Sequence, residues 1–377
     1  MSWELLRRTP LFELRRRGRF LVSELAVPHQ VISTSTCNGG QTSHIRFLIN
    51  HQSCEASGHH DRFRVIVDEG AARYHARVCA EAEVPPDAAV TMGTAANMNY
   101  AAVATEGADD LQVTAVVTAG VESNATCAGD PAKWRETAAG FERQADCAGT
   151  INTMLLINVP LTAAALARTV AVMTEGKSAA LQRLAVPSRQ SADLATGTGT
   201  DQYCVAAPID GAVTLTSAST HVACGELIGR AARNATLEAL RWQNGLEPSY
   251  TRGVFHALGR YGIREASFID DMRPLLGARD VDLLEKNSKA VLYEPLVGAA
   301  AHALATVLDR VRHGSLPASV QRDACVQQAA TLAASLAAAP GRWNEFRCYL
   351  FECAPDDPKA LILGALALGW SEKWRST

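Results

Sequence analysis

Aromatic residues are scarce in this chain, 6% of 377. So few Phe, Trp and Tyr argue against a stacking platform for single-stranded nucleic acid, and none is expected here. A basic excess is missing as well: 36 Lys and Arg face 39 Asp and Glu, a formal net charge of −3. Such a balance offers no cationic face to displace counterions from a duplex, so no nucleic-acid partner is expected. There is no uninterrupted apolar run of about 18 residues, which argues against a membrane span. The ten cysteines (Cys37, Cys54, Cys79, Cys127, Cys147, Cys204, Cys224, Cys325, Cys348 and Cys353) form no CxxC pair and are irregularly spaced. No tetrahedral zinc spacing is visible, and free thiols in a reducing cytoplasm are expected. With 47% hydrophobic and only 20% charged residues, the chain is globular, not disordered. Its length suits two domains, or one large core with an appendage.

The N-terminus carries six arginines (Arg7, Arg8, Arg15, Arg16, Arg17 and Arg19), interrupted by Glu4 and Glu13. No apolar segment with a small-residue cleavage site follows, so residues 1–29 read as a solvated basic arm or edge strand and not as a signal peptide. Short β-rich runs come next, at Arg64–Val67, Val113–Thr118, Thr153–Val159 and Tyr203–Ala207. Bounded by Gly, Pro, Asn and Asp, they read as buried strands. Helical spacing appears over Thr162–Leu184, with Thr162 as N-cap, and over Glu226–Trp242, which stops at Asn244-Gly245. Strand, helix, strand is an α/β layout, a layered sheet with flanking helices. Composition shifts near residue 263 to Ala and Leu. Val291–Val311, Val320–Ala337 and Asp357–Trp374 are helical by propensity and period. The expected organisation is an arm at 1–29, a catalytic α/β domain at 30–262, and a helical region at 263–377, read as packing or oligomer contact.

Polar and small residues concentrate between residues 117 and 230. The clusters are Thr118–Ala125, Ala128–Pro131, Gly149–Thr153, Thr174–Lys177, Ala195–Gln202 and Ser219–Gly229. Glycines let backbone approach a ligand, and the adjoining hydroxyls and carboxylates supply nucleophiles and bases. Six such clusters at element ends suggest a built pocket. Gly176-Lys177-Ser178 mimics the end of a P-loop, but the first glycine of that motif falls at Ala171 and the segment reads as mid-helix. Thr196–Asp201 holds GxG without the third glycine, a weak dinucleotide signal. His59-His60 reads as a surface loop.

In their order and spacing, these clusters resemble the adenosylcobinamide amidohydrolase family (CbiZ-type). The matching stretches begin at Cys37–Gly40, Leu48–His51 and Met92–Ala96. They continue through Ala119–Ala125, Ala128–Pro131, Gly149–Asn158, Thr174–Leu181, Ala195–Gln202, His221 and Gly225–Gly229, covering about residues 30–260. The resemblance implies hydrolysis of the amide joining the aminopropanol arm to the corrin ring, giving adenosylcobyric acid for cobalamin synthesis. The implied partner is a small-molecule corrinoid. No cofactor is implied, the cobalt being part of the substrate. Gly176 stands where the family usually has Ala, and Cys127 and Cys224 also depart from it, which bears on substrate preference. A non-catalytic corrinoid-binding module and an amidohydrolase acting on another amide are the alternatives. Self-association is left open.

Two mechanisms remain open from the residues. In the first, Thr150 is the nucleophile. Gly149–Leu161 is distantly similar to the self-processing D-aminopeptidase and ornithine acetyltransferase class; by that resemblance Thr150 is the nucleophile, and its base is either the free amine left by a cut before Thr150 or, without a cut, a nearby carboxylate or Lys177. In the second, Glu175, Asp201, His221 and Glu226 activate water, directly or through zinc or manganese, although no local pair supports a metal and none is expected. In either case Glu175 and Lys177 are the preferred acid/base pair, with Asp201 beside them. The backbone of Gly197, Thr198, Gly199 and Thr200, with the Asn124 side chain, is the expected oxyanion site. Asn38, Asn50 and His51 are candidate rim contacts, with His221 and Glu226 as further binding candidates.

Overall fold

A computed structural model of the chain describes residues 2–54, 69–132, 134–138, 140–143, 149–353, 357–373 and 375. The chain divides into two compact units, Met1–Leu246 and Glu247–Thr377.

In chain order, the first unit opens with β1 (Glu4–Arg8), β2 (Phe12–Arg17), β3 (Phe20–Leu25), β4 (His29–Ser33), β5 (Gly40–Thr42) and β6 (Phe47–Gln52). Then come α1 (Ala71–Ala82), β7 (Ala89–Thr94), β8 (Ala102–Ala108), β9 (Leu111–Ala119), β10 (Ala125–Thr126), β11 (Trp134–Thr137) and β12 (Gly140–Arg143). It closes with β13 (Ile151–Ile157), α2 (Ala163–Arg183), β14 (Gly197–Thr198), β15 (Gln202–Pro208) and α3 (Ala223–Asn244). One sheet has six strands in the order β5-β4-β15-β13-β9-β8, and the other five in the order β1-β2-β3-β6-β7.

The alternation along β13 explains the layering. Ile151, Leu155 and Ile157 turn to one side, where they pack with Leu166 and Val172 of α2 and Ile228 and Ala235 of α3. Met154 and Leu156 turn to the other, against Leu14, Leu48 and Met92 of the five-stranded sheet. The outer face of that second sheet packs Phe20, Val22 and Ile49 on Tyr74, Val78 and Cys79 of α1. The layers are therefore helix pair, six-stranded sheet, five-stranded sheet and helix. Each fully buried Leu or Ile contributes about 1.5–3 kcal/mol to that stack. α2 starts where the Thr162 side chain accepts from Ala165 N at 3.3 Å, and α3 stops at Gly245, φ +62°.

Two expectations change here. Residues 2–29 follow the edge-strand alternative and not the free arm: they form β1–β3, with β1 at the edge of its sheet, and lead into β4. Their arginines pair across and beyond the meander, Arg16 with Glu4 at 2.8 Å, Arg17 with Glu83 at 2.8 Å and Arg15 with Glu24 at 3.3 Å. The charge that reads as solvated in the sequence is thus met by carboxylates on neighbouring elements. The division between units falls after Leu246 and not at 262, because the helices that follow pack into the second core. The strand expected at Arg64–Val67, with His59, His60 and Cys147, lies outside the described residues.

The second unit is helical: α4 (Pro248–Thr251), α5 (Val254–Leu258), α6 (Phe268–Met272), α7 (Ala278–Leu292), α8 (Pro295–Arg312), α9 (Ala318–Leu336), α10 (Trp343–Cys353) and α11 (Pro358–Lys373). Its core includes Ala301, Leu304, Val326, Ala329, Leu366 and Trp370. The helix expected from Val291 is split. α7 ends at Leu292, and Pro295 opens α8 with the Glu294 side chain accepting from Val297 N at 3.0 Å. A proline lacks the N–H that an uninterrupted helix needs but suits a first turn. Among the described residues no helix is long and apolar enough to cross a membrane.

Candidate active site

The site assembles at one end of the parallel pair β13 and β15, whose register sets Asn152 beside Gln202. Thr150 immediately precedes β13, and the 197–201 bend immediately precedes β15. The short β10–β14 pair aligns Ala125 with Thr198, and Gly199 N donates to the Asn124 carbonyl at 3.3 Å. Three loops from distant sequence positions are thereby fastened together.

Gly149 is the hinge of the arrangement. Its φ is +135°, and an added Cβ would lie 2.9 Å from the Gly120 carbonyl oxygen and 3.2 Å from Asn124 Cβ. Only glycine fits that conformation and that gap. Its carbonyl oxygen receives two donors, Asn124 Nδ2 at 2.9 Å and Thr200 Oγ1 at 3.0 Å. Thr150 Oγ1 lies 2.6 Å from Thr200 Oγ1. Thr200 has one hydroxyl hydrogen, given to the Gly149 carbonyl, so Thr150 is the donor in this contact. Asn124 and Thr150 are buried, 3% and 6% exposed.

Asp201 holds this end of β13 in place. Its carboxylate accepts from Ile151 N at 2.9 Å, Thr198 N at 3.1 Å, Thr198 Oγ1 at 2.5 Å and Lys177 Nζ at 2.5 Å. Gly197 leaves room for the ion pair: a Cβ there would lie 2.5 Å from Asp201 Oδ2 and 2.8 Å from Lys177 Nζ.

Not every expected residue joins. Glu175 is exposed on α2. Two residues from Lys177, it points about 200° away round the helix, and Lys177 is engaged by Asp201. The expected pairing of Glu175 with Lys177 is therefore not made. Thr198 N and Gly199 N are already bonded, to Asp201 and to the Asn124 carbonyl. The donors turned on a carbonyl are instead the side chains of Asn124 and Thr200. His221 is exposed in the turn before α3. Glu226 is exposed in the first turn of α3 and pairs with Arg230 four residues on. Asn38, with φ +57°, donates to the Pro86 and Ala89 carbonyls at 2.8 and 2.9 Å. Asn50 is 1% exposed between the sheets, not at a rim; it donates to Thr118 Oγ1 at 2.8 Å and accepts from Asn152 Nδ2 at 2.9 Å. Among the described residues no three His, Cys, Asp or Glu side chains converge on a point that an ion could occupy, so Glu175, Asp201, His221 and Glu226 do not form a set.

Gly149, Thr150 and Thr200 open on a cleft of about 240 Å³. Its other wall comes from the five-stranded sheet and α1, with His51, Tyr74, His75, Thr91 and Gly93. His51 and Gln202 lie in stretches singled out in the sequence; Tyr74, His75 and Thr91, which line the cleft with them, carry no motif that marks them. The walls are tied at Gly93. Its N–H donates to Gln202 Oε1 at 2.9 Å, and its carbonyl accepts from Asn152 Nδ2 at 3.1 Å.

A hydroxyl beside paired amide and hydroxyl donors, at the mouth of a cleft, has the geometry of two parts of acyl transfer, a nucleophile and oxyanion donors, without a base bonded to it. The sequence model for CbiZ, adenosylcobinamide amidohydrolase, matches residues 4–248. The chain belongs to that family. The match spans nearly all of the first unit and starts at β1, so the N-terminal strands are family structure and not an addition before residue 30. The uncharacterized protein MJ1613 of Methanocaldococcus jannaschii is 34% identical over 165 residues, 41% of this chain and 64% of its own length. The PH0078 protein of Pyrococcus horikoshii aligns over 59% of this chain and 78% of its own at 12% identity with a TM-score of 0.29, too loose a likeness to bear on the fold.

Proposed function

We propose that the chain hydrolyses the aminopropanol amide of adenosylcobinamide, releasing 1-amino-2-propanol and adenosylcobyric acid. The observation that carries this reading, beside the family membership, is the pair of donors that Asn124 and Thr200 direct at a carbonyl next to the Thr150 hydroxyl. Thr150 Oγ attacks the substrate carbonyl carbon, the C–N bond breaks, the amine leaves with a proton, and water hydrolyses the resulting ester. Lys177 and Asp201 are positioning residues, since their charges are spent on each other and on the backbone at Ile151 and Thr198.

In the intact chain no carboxylate, imidazole or amine hydrogen-bonds the Thr150 hydroxyl among the described residues, whose bonded partner is Thr200. The oxyanion donors are also occupied, by the Gly149 carbonyl. Both features have one remedy. Attack of Thr150 Oγ on the Gly149 carbonyl carbon, followed by hydrolysis of the ester, breaks the Gly149–Thr150 bond. The products are a Gly149 carboxylate and a Thr150 α-amine, whose ordinary pKa of about 7.7–8.0 suits a base at neutral pH. Departure of Gly149 then vacates the donors for the substrate carbonyl. A cleft of about 240 Å³ admits the side arm and leaves the corrin ring outside.

Incubation of the purified chain with adenosylcobinamide, with detection of 1-amino-2-propanol and of the new carboxylate, tests the reaction. Thr150→Ala should lower turnover by orders of magnitude; near-normal turnover in that variant refutes the assignment. Intact-mass measurement of active protein should give two fragments meeting at Gly149/Thr150, and a single full-length species rejects the cleavage.

A further inference from the structure

The wall of the cleft supplied by β6, β7 and α1 has a definite hydrogen-bonding polarity. His51 Nδ1 lies 2.8 Å from the Met92 carbonyl oxygen. A carbonyl only accepts, so Nδ1 carries the hydrogen, and in the neutral ring Nε2 is the acceptor. The Tyr74 hydroxyl, 2.8 Å from Nε2, is then the donor. His75 repeats the pattern with its nitrogens exchanged. Nε2 lies 2.8 Å from the Pro86 carbonyl oxygen and Nδ1 lies 3.1 Å from Thr91 Oγ1, so Thr91 donates to His75. A hydroxyl has one hydrogen and two lone pairs. Tyr74 and Thr91 both commit their hydrogen to an imidazole, and both line the cleft. What they offer a ligand there is acceptor capacity.

The Thr150 side presents the complement, the amide and hydroxyl donors of Asn124 and Thr200. One wall therefore suits a carbonyl, and the other suits N–H and O–H groups. We infer that Tyr74 and Thr91, oriented by His51 and His75, form a subsite for the leaving amine that selects amides of short amines bearing a hydroxyl group. The inference rests on the proposed hydrolysis and deepens it. The acyl oxygen lies at Asn124 and Thr200, and the amide N–H and the alcohol of the arm lie along the acceptor wall. The two histidines touch no reacting atom in this scheme. They are positioning residues that fix which way the two hydroxyls point.

The test compares two substrates: adenosylcobinamide, and adenosylcobyric acid coupled to propylamine, which lacks only the hydroxyl. The wild-type kcat/KM should favour the hydroxylated arm by about 10- to 100-fold, the range for one buried hydrogen bond left unmade. Tyr74→Phe or Thr91→Val should cut that preference to within about threefold. The substrate comparison needs no variant, so a misfolded Tyr74→Phe protein does not block it. Binding of free 1-amino-2-propanol and free propylamine, measured by calorimetry on the wild type and Thr91→Val, covers the case in which neither amide is hydrolysed. A preference for the amino alcohol that Thr91→Val abolishes would then uphold the subsite while the hydrolysis reading falls. Equal wild-type rates on the two amides, or, with no hydrolysis, equal affinities for the two amines, overturn the subsite.

Discussion

Replacing Asp201 by Ala removes the acceptor for four donors at once. Ile151 N and Thr198 N, at 2.9 and 3.1 Å, lose a bonded partner, at about 1 kcal/mol each for an ordinary hydrogen bond. Lys177 is left as an ammonium whose side chain is only 14% exposed. Breaking a buried pair from one side costs about 3–5 kcal/mol, and the partial exposure of both partners places this pair at or below the low end of that range. The contributions share one carboxylate and do not add in full, so the expected loss is about 3–4 kcal/mol. For a unit of this size about 1 kcal/mol shifts the midpoint by about 2–4 °C, which predicts a fall of about 6–16 °C in the unfolding transition followed by circular dichroism. The double variant Lys177→Met/Asp201→Ala removes the stranded charge and should recover about 1–2 kcal/mol of the loss. It should not recover turnover, because the bond from Ile151 N–H, next to Thr150, to the 197–201 bend stays broken. Asp201→Ala unfolding within about a degree of wild type, or a double variant no more stable than the single one, would refute the account of this carboxylate as the clamp of the site.

Gly176→Ala should destabilise the first unit by about 1–3 kcal/mol in urea, because the new Cβ would meet the Gly229 carbonyl oxygen at 2.6 Å and its Cα at 3.2 Å; an unchanged midpoint would show that α2 and α3 separate freely. Burial pushes the thiols of Cys79 and Cys204 up to about 12 and that of Cys224 up to about 11, from an ordinary 9.0. Above about pH 9 the unfolded chain releases these protons while the folded chain keeps them, so this part of the stability is whole below pH 9 and is lost as pH rises toward 11–12. Urea midpoints measured at pH 8 and pH 10 should fall, with a shallower fall in Cys204→Ala, and identical slopes in variant and wild type would contradict the burial argument. Asn152→Leu strands Asn50 Oδ1 and the Gly93 carbonyl, which Asn152 Nδ2 now serves at 2.9 and 3.1 Å. A loss of about 2–4 kcal/mol with impaired turnover is expected, and full activity at wild-type stability would remove the case for a tie between the cleft walls.

Much of the six-stranded layer was legible in the sequence. The runs at 113–118, 153–159 and 203–207 lie within or overlap β9, β13 and β15, and the helix over 162–184 matches α2 nearly end to end. Those segments are apolar or strongly periodic, and their punctuation is local: Thr162, Pro160, Asn244-Gly245. The five-stranded layer was harder to read. β2, with the sequence Phe-Glu-Leu-Arg-Arg-Arg, does alternate, but its arginines mask a strand whose carboxylate partners sit on β1, β3 and beyond. At the site, the glycine-and-hydroxyl clusters at 118–125, 149–153 and 195–202 do come together, because β9, β13 and β15 are adjacent strands. Glu175 and Lys177, two apart, could work together only at a helix end or an irregular turn, and both lie inside α2, where such neighbours take different faces. Tyr74, His75 and Thr91 enter through the packing of one sheet on another, and no spacing along the chain encodes that.

The distribution of polar groups between the sheets bears on what the site requires. Most of the shared interior is apolar, with Leu14, Leu21, Leu48, Met92, Met154 and Leu156. Asn50, Thr118 and Asn152 interrupt it at the cleft end, all 1% exposed or less, with Gln202 reaching across to Gly93 N. A well-packed apolar set at these positions would serve stability at least as well, since a hydrogen bond in the interior returns little beyond the cost of burying its partners. Asn152 Oδ1 goes further, being buried with no hydrogen-bond partner among the described residues, a cost that stability alone gives no reason to keep. Side-chain amides do what aliphatic chains do not: they fix distance and direction between two backbones. Here they hold the β7 end carrying Thr91 and Gly93 against the β13 end carrying Thr150. The spacing of the cleft walls is thus set by directional bonds at the place in the sandwich where the proposed attack by Thr150 would tolerate an error of no more than about 1 Å.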